Sequence, residues 1–251
     1  MYCVQCEQSN KGGCAVKVGS CGKTADVADL QDVLLRVMQG VSAYAARAAR
    51  KGARDAAVDA FTPHAWFTTL TNVNFDAERF VALIADALQV RDLARKLAEG
   101  AGADLSDLPE PATWNPGTTP SELAAAAPFA AIQRFMDRDG PSVVGLRNLI
   151  LYGLKGTAAY SEHARVLGTE EPAVSAEFHR ISAFLASDPT ERTNLASSRP
   201  DKLADLRARM QAHHATMPEP LWPSFIEMAI QIDKTLDQKH LPSDEYAYWY
   251  N

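Results

Sequence analysis

The chain has four cysteines in its 251 residues, Cys3, Cys6, Cys14 and Cys21, and all lie within the first 21. Their spacing is C-x2-C-x7-C-x6-C. Four thiolates can close a tetrahedral Zn site or hold an iron–sulfur cluster. Two residues between Cys3 and Cys6 let both sulfurs turn toward one metal centre. The arms to Cys14 and Cys21 are long and carry Gly12, Gly13 and Gly19. Glycines let a loop fold back so that backbone N–H groups reach bound sulfide. A structural Zn site more often has two tight C-x2-C knuckles, and this chain has one, so the spacing leans toward iron and sulfide. Two disulfides are the alternative use of four cysteines. The opening Met1-Tyr2-Cys3-Val4-Gln5-Cys6 has neither a basic stretch nor an apolar one, so secretion is not expected and a reducing cytoplasm is.

The same segment carries Lys11, Lys17 and Lys23 against one acid, Glu7. Cations beside thiolates lower their pKa and stabilise an anionic cluster. Other chemistry is sparse. His213 and His214 are adjacent, so they point to different helix faces and chelate poorly. His163 and His179 sit among ordinary helical neighbours and read as surface or core residues. Glu162 and His163 could bind a metal only with help from another helix. No Ser-His-Asp arrangement, phosphate loop or paired-carboxylate motif is identifiable. The net charge of −6 and pI near 5.5 leave no basic stripe for nucleic acid. No run of about 18 apolar residues suggests a membrane span.

The elements that must carry the loop are helices, and the expected fold class is all-α. A helix is expected from about 27 to 51, with Leu30, Leu34, Val37 and Val41 at helical spacing, Thr24 or Asp26 as cap and Gly52 as stop. A second is expected over about 54–72, broken near Pro63. A third, capped by Asn74 or Asp76, is expected over about 77–99. Residues 101–120 hold four prolines and no Lys or Arg, which reads as a linker in which Trp114 docks on a neighbouring bundle. Further helices are expected at 121–137 (capped by Ser121, with Pro128 as a possible kink), 172–187, 200–216 and 222–240. Four aromatics in the last eight residues are expected to pack on the body or on a sister subunit.

Residues 30–52 and 146–168 align without gaps at an offset of 116. Leu30/Leu146, Gly40/Gly156, Ala43/Ala159, Tyr44/Tyr160, Ala48/Ala164 and Gly52/Gly168 are identical. This suggests a duplicated three-helix unit, with Gly40 and Gly156 at close helix crossings that Tyr44 and Tyr160 seal. The expected organisation is a cluster-binding loop (1–26), two tandem three-helix bundles (27–100 and 121–217) joined by the linker (101–120), and a C-terminal helix with an aromatic tail (218–251).

The run Tyr2-Cys3-Val4-Gln5-Cys6-Glu7-Gln8, with Val18-Gly19-Ser20-Cys21-Gly22-Lys23, resembles the amino terminus of the hybrid cluster proteins, the prismane family of hydroxylamine reductases. The resemblance continues through 30–35, 69–76 and Leu151-Tyr152-Gly153-Leu154-Lys155-Gly156-Thr157-Ala158-Ala159-Tyr160 with His163-Ala164, so it covers roughly 1–100 and 140–190. It implies an amino-terminal domain of two three-helix bundles. It also implies that Cys3, Cys6, Cys14 and Cys21 bind a 4Fe-4S cluster. The gap before the last cysteine is one residue longer than is common in the family. The short middle gap favours the cubane over the 2Fe-2S form seen in some members, and Zn is a third possibility.

In that family the chemistry belongs to a second, hybrid cluster held by His, Glu and several Cys in later domains. This sequence has no cysteine after Cys21, and Thr216-Met217-Pro218-Glu219-Pro220 stands where the family has Gly-His-Pro-Glu. The expected role is therefore one-electron transfer to an unidentified redox partner, in a homo-oligomer that covers exposed helical faces, without catalysis by the isolated chain. The alternatives are a reductase completed at a subunit interface and a structural or redox-sensing cluster protein.

Overall fold

The structure, a computed structural model, describes residues 3–6, 13–15 and 17–187, parts of 204–215, and the pairs 230–231 and 246–247. The chain divides into two units, Met1–Thr190 and Glu191–Asn251.

The first unit is built around α1 (Ala25–Arg50), a 26-residue helix. Val33, Leu34, Val37, Met38, Val41 and Ala48 are all inaccessible to solvent. Its polar residues Gln31, Arg36, Gln39 and Ser42 are buried as well, because other elements cover the helix on several sides. Its first half packs large side chains, and its second half is Ala-rich, so neighbours approach closely. Gly52, at φ +77°, takes the left-handed conformation that ends it. α2 (Ala56–Thr68) starts at Asp55, whose carboxylate accepts from the Ala57 and Val58 amides. It runs through Pro63 unbroken, contrary to expectation. Ala65 and Trp66, beyond the proline, are fully buried, and that packing outweighs the lost backbone hydrogen bond. α3 (Ala77–Gly100) is capped by Asp76, which accepts from the Arg79 amide.

Residues 101–120 lie against α1 and include a 3-10 turn at Glu110–Ala112. Trp114 packs on the core, with the Arg36 guanidinium 5.0 Å from its ring centre. The single helix expected over 121–137 is instead α4 (Pro120–Ala126) followed by two 3-10 turns. The cap is Thr119, not Ser121. Pro120 suits the first helical position, and Thr119 and Glu122 form a reciprocal capping box. Pro128 falls where α4 has already tightened into the first of those turns.

α5 (Met136–Val166) breaks at Gly140, which has φ 78° and ψ 167°, and resumes through Pro141. Only one stripe of it is buried: Val144, Arg147, Leu151, Leu154, Ala158 and their neighbours at helical spacing. α6 (Pro172–Ala186) begins with Glu171 as cap and Pro172 at the first helical position.

α3 and α6 both pack against α1, while α5 lies along α2 and touches α6. Trp66 of α2 meets Phe178 of α6 edge to face at 5.4 Å. One hydrophobic core therefore joins helices from both halves of the unit.

The glycine expectation holds on one side only. A Cβ on Gly40 would run into the Pro111 carbonyl, with the Arg91 side chain of α3 next at 3.1 Å, so the tightest approach is to the proline-rich segment. A Cβ on Gly156 would meet nothing within 4 Å. Tyr44 is 4 % exposed and Tyr160 is 81 % exposed, so the two tyrosines do not seal equivalent contacts.

In the second unit, the described parts of 204–215 are helical. β1 (Ile230–Gln231) pairs antiparallel with β2 (Tyr246–Ala247), Ile230 opposite Ala247. This corrects the helix expected over 222–240 at those two positions. The rest of that helix, of the helix at 200–216 and of the aromatic tail lies outside the described residues. So do 216–220, His213 and His214. The fold class is all-α, as expected, with this two-residue pair as the only sheet among the described residues.

Candidate metal centre

The cysteine loop is fixed by two backbone pairings. Cys3 and Cys14 exchange both hydrogen bonds of an antiparallel pair, at 3.1 and 2.8 Å. Residues opposite each other in such a pair carry their side chains on the same face. Gly13, at φ 128°, turns the chain into Cys14. The second pairing joins Val18 to Thr24 around a turn in which Gly19 N–H donates to the Lys23 carbonyl at 2.7 Å. Gly22, at φ 88°, closes that turn, and Cys21 rides on it. Outside the loop, Thr71 donates to Gln5 at 3.4 Å and ties it to the end of α2.

All four cysteines are unbridged and half-buried. The disulfide alternative is not the arrangement seen. Cys3 and Cys14 are brought together by backbone pairing, while Cys6 and Cys21 occupy the flanking turns. Among the described residues, no three His, Cys, Asp or Glu side chains converge on a metal position. The donor set nevertheless fits an iron–sulfur cluster by type, number and reduced state. For thiolate sites, metal binding and loop folding are coupled.

Beneath the loop lies a charged floor. Lys23 is 2 % exposed and donates to Gln31 Oε1 at 2.7 Å. Lys155 of α5 is 1 % exposed and donates to the Thr69 carbonyl at 3.0 Å. Asp32 of α1 is half-buried and shares with both lysines and Cys3 a cavity of about 20 Å³. Burial pushes the Asp32 carboxyl up, against the opposing pull of Lys155. Burial pushes the Lys155 ammonium down, opposed by Asp32 and by Cys3. Two ammoniums held out of water at one cysteine are costly unless negative charge faces them. Asp32 faces Lys155 from one side, and thiolates would add negative charge from the loop.

Of the three lysines singled out in the sequence, Lys23 forms part of this floor, Lys17 is exposed, and Lys11 lies outside the described residues. Lys155, Gln31 and Asp32 were not singled out. Lys155 carried a legible signal: it falls on the apolar stripe Leu151, Leu154, Ala158, where a lysine is out of place.

The other candidates resolve into structural roles. His179 is buried between Ser42 and Asp59, each at 3.2 Å. His163 is exposed and meets Phe67 edge to face. Glu162 accepts from Arg165 and faces His64 Nδ1 at 3.3 Å. No helix among the described residues is long and apolar enough to cross a membrane.

The Prismane/CO dehydrogenase family matches residues 1–214. A hydroxylamine reductase of Burkholderia lata is 43 % identical over 199 residues, covering 76 % of this chain and 36 % of that protein. The chain thus spans about a third of the length of that relative.

Proposed function

The chain belongs to the Prismane/CO dehydrogenase family, and on that premise we propose that it is an iron–sulfur protein in which Cys3, Cys6, Cys14 and Cys21 hold one 4Fe-4S cluster for one-electron transfer. The observation that carries this reading is the cysteine loop seated on the buried ammoniums of Lys23 and Lys155. When bound, the cluster supplies a one-electron couple with every iron ligated by cysteine, which suits relay over substrate binding. The residues of the chain do the rest. Lys23 and Lys155 offset thiolate charge from below. Gln31 holds Lys23, and the Thr69 carbonyl holds Lys155. Gly13 and Gly22 supply the left-handed turns that bring Cys14 and Cys21 to the loop face. Exposed Lys17 offers a redox partner a positive contact beside the loop. Four reduced thiols match a cytoplasmic setting.

A second reading is supported by the outward face of α5, where Leu146, Leu149 and Tyr160 are exposed. If a second copy covers that face, a reductase site could be completed between subunits, in keeping with the activity named for the relative.

The test is a serine series at the four cysteines. Cys3→Ser, Cys6→Ser, Cys14→Ser and Cys21→Ser each lose most of the iron and sulfide while keeping helical circular dichroism. Full loading of any one variant removes that residue from the ligand set. Hydroxylamine turnover by the purified chain would favour the second reading.

A further inference from the structure

On the face between α1, the proline-rich segment and α6 is an open groove of about 900 Å³. Its wall carries Arg36, Arg47, Arg50, Arg134, Arg138 and Arg180, with Asp107 and Glu110 as the acids among the described lining residues; just outside the lining, Glu177 pairs with Arg180. Arginines outnumber carboxylates there, on a protein of net charge −6. The arginines are crowded. The guanidinium carbons of Arg134, Arg138 and Arg147 lie 4.3, 4.4 and 4.6 Å from the centre of one ring, Phe135. Glu110 is shared between Arg36 and Arg134. Asp139 is shared between Arg138 and Arg147. Arg36 is 4 % exposed, and its Nε is buried with no hydrogen-bond partner among the described residues.

Burial, with repulsion from Arg134 and Arg147, pushes Arg36 down to about 9. Burial, with repulsion from Arg147 and Arg138, pushes Arg134 down to about 10. Both stay protonated at neutral pH, so the crowding persists as repulsion that a bound anion would relieve.

We propose that this groove binds a nucleoside di- or triphosphate, its phosphates on the arginine wall and its base on the exposed aromatic rings. Guanidinium forks match phosphate oxygens in pairs, which ammoniums cannot do. Phe129, 63 % exposed, and Phe184 line the same groove and offer flat apolar faces. The volume falls within the range of small-molecule sites, roughly 300–1,000 Å³, and is far larger than an inorganic anion needs. The role proposed for the groove is binding alone. The groove is separate from the cysteine loop: the two cavities share no lining residue.

The test is calorimetric titration of the full chain with ADP, pyrophosphate and adenosine, each at low and high salt. ADP should bind saturably at one site per chain and weaken as salt rises. Pyrophosphate should compete with it, and adenosine should bind at least tenfold more weakly. Arg134→Gln with Arg138→Gln should weaken ADP at least tenfold. Arg50→Gln, at an exposed position that folding does not depend on, should weaken it several-fold with the melting temperature unchanged. Three results would overturn the proposal: no saturable ADP binding at millimolar concentration, ADP affinity unchanged in the Arg50 variant and the double variant, or adenosine binding as tightly as ADP. Preferential capture of a poly-glutamate peptide over ADP would also overturn it, by assigning the groove to protein docking.

Discussion

Leu30 of α1 is 8 % exposed, and Leu146, its counterpart in α5, is 54 % exposed. The same contrast separates Val33 from Leu149 and Tyr44 from Tyr160. The two helices carry one repeated sequence pattern, and both fold as helix. α1 is covered by α3, α6 and the proline-rich segment, whereas α5 has neighbours along one stripe. Local pattern decides that a segment is helical and which face is most apolar. The number of faces that are buried depends on what the rest of the chain lays against it. The difference also locates function. α1 gives the floor of the cysteine loop Gln31 and Asp32 from a fully packed helix, and α5 contributes a single buried lysine from a helix with an open side.

Identical substitutions at aligned positions turn this contrast into measurements. Leu30→Ala should cost about 2–4 kcal/mol of unfolding free energy, through lost burial and a cavity. Leu146→Ala should stay within about 0.5 kcal/mol. Equal losses would mean that α5 is covered in solution, which would support the oligomer. Next in size, Gly40→Ala should cost about 1–3 kcal/mol, because its Cβ would collide with the Pro111 carbonyl. Gly156→Ala meets nothing and should stabilise by roughly 0.5–1 kcal/mol through helix propensity. Chemical denaturation of both alanine variants checks the opposite signs.

A third test probes the tie that holds α2 to α6. Burial raises the Asp59 carboxyl, but hydrogen bonds from His179 and Arg54 outweigh this and hold it below the usual range. A depressed carboxylate stabilises fully above its unfolded value, about 4, and its contribution is lost as pH falls through the folded value. Asp59→Asn should therefore cost about 1–2 kcal/mol at pH 7, with the gap to wild type closing below about pH 4. A gap that widens in acid would contradict the assignment. The smallest effect expected is at Lys155, aligned with Gln39 of α1. Lys155→Gln, which copies the residue of the other repeat, should lower the cluster's midpoint potential by removing a cation beside it. An unchanged potential would leave Lys155 as packing alone.

Much of this was legible in the sequence. The apolar spacing of α1 and α3 and their Gly and Asp boundaries place those helices to within a few residues, and α6 falls on the helix expected over 172–187. The stretch after 119 was misread, because a capping box at Thr119 and Glu122 outcompetes Ser121, and Gly140 starts a new helical direction. The cysteine motif is legible from its spacing, which leans toward iron–sulfur, and the family resemblance implies the four-cysteine cubane. The floor beneath it is not legible, because Lys155 lies far along the chain from the loop and meets it only through the tertiary packing of α5 on α2. The groove of arginines escaped notice for the same reason. Its members come from α1, α5, α6 and the segments between, in a chain whose overall charge is negative.

The most direct test of the central claim is an anaerobic preparation with iron, acid-labile sulfide and zinc counted per chain, and an EPR spectrum after dithionite reduction. About four irons and four sulfides per chain, little zinc and a spin-half signal on reduction are the expected result. Zinc without sulfide would contradict it and make the cysteine loop a structural clasp.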